Sequence, residues 1–216
     1  LAVNAAAALE RPLLIKGEPG TGKTLLAIEV ADAMGLELIE WHIKSTTKAS
    51  QGLYEYDAVT RLRDSQLGDE RVKDIANYIN KGKLWEAFES DKQVVLLIDE
   101  IDKAFSGIDN QGDSGTTSRV LATFITWLSE KQSSVFVVAT ANNIYKLPPE
   151  ILRKGRFDEI FFIGLPNEKE KELIFKVHLS RLRPKSWTSY DIPYLTKLAK
   201  NFSGAEVEES IIEAMH

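Results

Sequence analysis

The stretch Gly17-Glu18-Pro19-Gly20-Thr21-Gly22-Lys23-Thr24 decides the reading of this chain. It follows the apolar run LLIK (residues 13–16) and precedes the helical pattern LLAIEVADAM (residues 25–34). The spacing is GxxxxGK[ST] between a strand and a helix. Glycines let the backbone curl with its N–H groups turned inward, so the turn becomes an anion cradle. The N-terminus of the following helix adds its dipole to that cradle. Lys23 is placed to reach β- and γ-phosphates, and the Thr24 hydroxyl to ligate Mg²⁺. Leu25 continues the loop into the helix.

Working outward, VVLLIDEID (residues 94–102) is an apolar strand that ends in acids. Asp99 is the candidate Mg²⁺ residue, acting through the ion's water shell, and Glu100 the candidate general base for an attacking water. The competing reading is that Asp99 and Asp102 only cap the next helix. Further strands are expected at residues 12–16, 37–43, 135–140 and 160–163, and helices at 3–10, 23–34, 72–79, 84–89 and 117–130. Apolar runs alternating with helical patterns imply a parallel sheet wrapped by helices. After Pro166 no strand is expected. Residues 167–183 and 192–215 read as helices around a turn at Arg183-Pro184-Lys185-Ser186.

Composition narrows the class. Cysteine is absent, so disulfides and thiolate metal sites are excluded and a reducing compartment fits. The net charge of −5 gives no general pull toward nucleic acid. No run approaches the ~20 apolar residues of a membrane helix. The apolar start LAVNAAAAL lacks a preceding basic region and reads as a short helix rather than a signal peptide, and a chain beginning on Leu1 reads as a fragment.

With these motifs in order, the chain resembles an AAA+ ATPase. Ala139-Thr140-Ala141-Asn142-Asn143 ends a strand where that family places sensor 1, and counting back from Gly155 selects Asn142. The plain alternative is an asparagine capping a loop. Gly155-Arg156-Phe157-Asp158 resembles the GRFD signature of the AAA subgroup, and Arg153 and Arg156 match its pair of arginine fingers, offered across a subunit boundary. Otherwise they are surface arginines. Ser203-Gly204-Ala205 resembles sensor 2, with Gly204 and Ala205 beside adenine, or else a simple helix cap. The resemblance implies a P-loop three-layer α/β sandwich with strand order 5-1-4-3-2 over residues 1–166. A small, cut-short helical lid would occupy 167–216. It also implies ATP and Mg²⁺ as ligands, a ring of subunits (a hexamer), and mechanical work on a protein client in the cytoplasm or plastid stroma.

Two branches of the family are expected to meet near Lys103. LIEWHIKSTTKASQGLYEYDAVTRLRDSQLGD (38–69) and KGKLWEAFE (81–89) are similar to MoxR-like ATPases, with an insert at about residues 45–82. GDSGTTSRVLATFITWLSEK (112–131) and ATANNIYKLPPEILRKGRFDEIFFI (139–163) are similar to the AAA protein encoded in algal chloroplasts and its cyanobacterial relatives. The chain therefore reads as a recombined or mixed sequence, although it has too few residues between 130 and 135 for the extra hairpin of MoxR-like proteins. Two other functions stay open, an ATP-dependent binding switch with slow turnover and a nucleic-acid motor using the insert's basic residues. Tyr54 and Tyr56 could grip a threaded chain or pack within the insert.

Overall fold

The computed structural model describes residues 2–8, 11–44, 47, 50–105, 123–124, 126–128, 135–157 and 159–215. Five parallel strands form one sheet: β1 (Leu13–Gly17), β2 (Glu37–His42), β5 (Val94–Asp99), β6 (Val135–Ala141) and β7 (Glu159–Ile163). Their spatial order is β2-β5-β6-β1-β7, which is 5-1-4-3-2 when these strands alone are counted. Each expected strand lies within a residue of its anticipated bounds.

Buried on both faces, the central strands carry continuous apolar runs instead of alternation. Leu96, Ile98, Val137 and Ala139 point into one core with Leu84 and Ala87 of α5 (Lys83–Glu89). Their neighbours Val95, Leu97, Phe136 and Val138 point into the other, against Ala27, Val30 and Ala31 of α2 (Lys23–Met34) and Ala6 of α1 (Ala2–Ala8). Helix, sheet and helix are thus the three layers. In register, Ile15 lies beside Thr140, Ile98 beside Ala139 and His42 beside Asp99. The carboxyl ends of four strands therefore meet on one edge, where the chain leaves β1 and crosses to β2 at a topological switch point.

The insert differs from expectation. Residues 72–79 are not one helix but parts of two 3₁₀ turns, Glu70–Lys73 and Ile75–Tyr78, followed by β4 (Ile79–Lys81). Asp69 and Asp74 each accept the N–H two residues on, from Arg71 and Ala76, and so break the segment into turns. β4 pairs antiparallel with β3 (Tyr54–Tyr56), just after the short α3 (Ser50–Leu53). Between the two strands runs α4 (Ala58–Leu67), capped by Asp57 and absent from the sequence reading. Its pattern is inverted: Val59, Leu62 and Leu67 are exposed, whereas Asp64 is buried under Tyr78, whose hydroxyl donates to it at 3.1 Å, and under Arg71. Apolar periodicity cannot reveal such a helix.

The short α6 (Ile101–Phe105) leaves the sheet after β5. Within the expected helix 117–130, Phe124 and Leu128 lie in helical backbone and join the core, while Leu121 and Ile125, like the link at 131–134, fall outside the described residues. Past the sheet come α7 (Glu168–Leu182), α8 (Ile192–Leu198) and α9 (Gly204–Glu213), packed around Phe175, Leu179, Ile192, Val207 and Ile211. The single helix expected over 192–215 is two, because Ser203 starts a new one with a capping box to Glu206. Among the described residues no helix is long and apolar enough to cross a membrane.

Candidate active site

A cavity of about 580 Å³ opens at that strand edge, between the loop after β1 and the lid helices. Residues 19–25 line it from the loop, Asp99, Glu100 and Asn142 from the sheet, and Ile174, His178, Gly204, Ala205 and Glu208 from the lid. Gly17 and Glu18 were expected on this surface and are not among its lining residues. Gly17 ends β1 under the Ile163 carbonyl, where an added Cβ would approach to 2.3 Å, so its role is close packing. Glu18 supplies its backbone carbonyl, which accepts from Lys23 Nζ at 2.6 Å.

The loop's curl is visible in positive φ at Gly20 and Gly22 (74° and 85°). Gly22 is the N-cap of α2 and makes no side-chain cap, so no N-cap side chain takes up the first N–H groups of that helix. The lid closes on the loop through the Ala205 N–H, which donates to the Gly20 carbonyl at 3.2 Å. Ser203 caps α9, as the plain reading of Ser203-Gly204-Ala205 expects, and Gly204 and Ala205 line the cavity. Lys23 is 6% exposed. Burial draws its pKa below the usual lysine value, against the raising influence of Asp99, Glu100 and Asp102.

The acids are held in a network. Asp99 Oδ1 accepts the hydroxyls of Thr24 (2.9 Å) and Thr140 (2.7 Å), and Oδ2 lies 3.1 Å from His42 Nδ1. Burial would raise the Asp99 pKa, yet hydrogen bonds from Thr140, His42 and Thr24 outweigh it and hold the carboxyl below its ordinary value. Glu100 has φ 58°, the one positive φ outside glycine among the described residues. That conformation costs ~1–3 kcal/mol and persists where the surroundings over-determine it. Here they do: its N–H donates to Thr140 Oγ1 at 2.8 Å, Asn142 Nδ2 donates to Oε1 at 2.9 Å, and Lys103 pairs with Oε2. The Glu100 contact is also the chief cause that raises the Lys103 pKa.

Asn142 therefore faces the acids, whereas Asn143 turns away and caps the 3₁₀ turn Ile144–Lys146. Asp102 lies in the first turn of α6, is buried, and accepts the N–H groups of Asn142 and Asn143 at 3.2 Å each. Arg153 is exposed, and Arg156 Nη1 donates to the Glu150 carbonyl at 2.5 Å. Neither lines its own chain's cavity, and the loop that carries them is pinned by buried Ile151 and Phe157. Asp158 lies outside the described residues. Sequence reasoning missed Thr140, His42, Ile174, His178 and Glu208. Thr140 alone left a signal, sharing a strand face with Asn142 by two-residue alternation.

The donor set suits a nucleotide with Mg²⁺. A hydroxyl and a carboxylate 2.9 Å apart offer hard oxygen ligands, and a desolvated lysine beside an open helix N-terminus suits phosphate.

Comparison with known proteins bears on the same features. The family described as "ATPase family associated with various cellular activities (AAA)" matches residues 13–165. The ycf46 AAA domain-containing protein of Guillardia theta is 50% identical over 210 residues, covering 96% of this chain and 37% of that protein. The cell division cycle protein 48 homolog of Archaeoglobus fulgidus is 31% identical over 209 residues, 94% of this chain and 25% of its own length. Proteasome-activating nucleotidase 1 of Haloferax volcanii is 28% identical over 207 residues, 94% and 45% of the two chains. The chain thus spans little more than a third of the length of the ycf46 relatives it matches (37%). The Guillardia alignment runs straight through Lys103, so one relative covers both halves. The expected join there, and the MoxR-like origin of residues 1–103, find no support.

Proposed function

The chain belongs to the AAA family of ATPases, and from that premise we propose that it hydrolyses ATP to ADP and phosphate in a subunit ring, remodelling a protein client. The observation that carries this reading is the convergence on Asp99 and Glu100. Hydroxyls from α2 and β6 meet on the first acid, and Asn142 holds the second beside the phosphate loop. In this proposal residues 17–25 bind the phosphates, and Lys23 faces the β- and γ-phosphates. Thr24 and Asp99 hold Mg²⁺, which neutralises charge on the bound phosphates. Glu100 accepts a proton from the attacking water that Asn142 orients, and Gly204 and Ala205 sit at the base. Arg153 and Arg156 act on the neighbouring subunit's site, which suits their distance from their own cavity. The ring is a hexamer, residues 1–166 and 167–216 are nucleotide-binding domain and lid, and the compartment is the cytoplasm or plastid stroma.

A slow, switch-like ATPase is the second reading, favoured by the Lys103–Glu100 pair, which engages the base. The nucleic-acid motor loses ground because basic residues in the insert are matched locally: Arg63 with Asp64, Arg71 with Asp69 and Asp64, Lys73 with Glu70. Two variants test the division of labour. Glu100→Gln keeps the phosphate and metal contacts, so it should bind ATP and leave it uncleaved. Lys23→Ala should lose most nucleotide affinity. Equal loss of binding in both, by fluorescent-nucleotide titration, would refute the role given to Glu100.

A further inference from the structure

The end of β2 contributes an unexpected side chain to the metal side of the site. Register sets His42 directly beside Asp99 on the neighbouring strand, and two-residue alternation puts Glu40 on the same face of β2. The imidazole bridges them: Nδ1 lies 3.1 Å from Asp99 Oδ2, and Nε2 lies 3.1 Å from Glu40 Oε2. Since Thr24 and Thr140 both donate to Oδ1, the His42 contact is what engages the other oxygen.

We propose that His42 is a positioning residue for the metal site, fixing the rotation of the Asp99 carboxylate while Glu40 fixes the imidazole. A carboxylate held at one oxygen only can swing about its Cβ–Cγ bond. Held at both, it keeps Oδ1 beside Thr24, where the ion's water shell is received. Partners of this kind, which touch a metal-binding side chain rather than the ion, typically govern ~10–100-fold in metal affinity or activity. The ring is half exposed at the rim of the sheet, so the fold does not depend on burying it.

The inference rests on the Mg·ATP reading, and its test separates the two. The 216-residue chain, wild type and with His42→Ala or His42→Asn, is titrated with a fluorescent ATP analogue in EDTA and again across a range of MgCl₂. Hydrolysis is followed over the same range. The Asn amide nitrogen stands where Nδ1 stood but cannot reach Glu40. His42→Ala should raise the half-saturating MgCl₂ about tenfold, with nucleotide affinity in EDTA unchanged. His42→Asn should recover most of that shift. A purely structural role would instead lower affinity in EDTA and the melting temperature together, overturning the proposal. It is equally overturned if His42→Ala keeps the wild-type MgCl₂ dependence, or if His42→Asn behaves as His42→Ala. Failure of the ATP reading is visible separately, as a wild-type chain that binds no nucleotide at any MgCl₂ concentration.

Discussion

Asp102 is a buried carboxylate whose two oxygens serve backbone rather than ligand, accepting the N–H groups of Asn142 and Asn143. Through them it sets where the Asn142 amide meets Glu100, so a residue on α6 governs the geometry at the end of β6. Asp102→Ala leaves both donors without that acceptor; a buried unmatched group costs ~1–3 kcal/mol, and less where, as at exposed Asn143, water can take the acceptor's place. The expected loss is about 1–2 kcal/mol in urea unfolding, accompanied by slower hydrolysis. Asp102→Asn, which keeps one carbonyl acceptor, should lose less. Similar unfolding midpoints for wild type and Asp102→Ala would show that the turn at Asn142 and Asn143 holds itself.

Among the elements, α9 is where folding and the site meet most closely. Ser203 caps it, and one residue into the helix the Ala205 N–H reaches the phosphate loop at Gly20. Ser203→Ala removes the cap at a cost of about 1 kcal/mol. For a chain of this size that should lower the melting temperature by ~2–4 °C and weaken nucleotide binding through the loosened lid. An unchanged melting temperature would mean that the Glu206 contact back to the Ser203 N–H suffices alone. Legibility also divides by element. The five strands could be read because burial on both faces leaves unbroken apolar runs, and the phosphate loop, Asp99, Glu100 and Asn142 because each is a local pattern at a strand end. α4 could not, since its buried residue is Asp64 and its exposed ones are Val59 and Leu62. His42, Ile174 and His178 reach the site only through strand register and lid packing, which no short window of sequence contains.

For the whole molecule, Arg153 and Arg156 lie away from their own cavity on a loop anchored by Ile151 and Phe157. In the proposed ring a neighbouring copy supplies the guanidinium, since none is among the residues that line the cavity. Arg156→Ala should abolish hydrolysis while leaving ATP binding near wild type. Mixing it with Lys23→Ala chains should restore part of the activity, because an intact pocket can then face an intact arginine. No recovery at any ratio, in mixed rings verified by mass, would place the arginines outside catalysis. The strand order bears on the chain's birth as well. Among the described strands β1 comes first in the chain, yet it pairs with β6 and β7, the last two in sequence. When Phe105 has emerged, β2 and β5 can already pair, but β1 has no strand beside it. The nascent protein is then two unfinished pieces with apolar edges open to other chains, waiting for Val135–Ala141 to slide between them. Translation speed across the intervening stretch, or a factor that holds the early strands apart, thereby becomes part of what lets this sequence reach its fold.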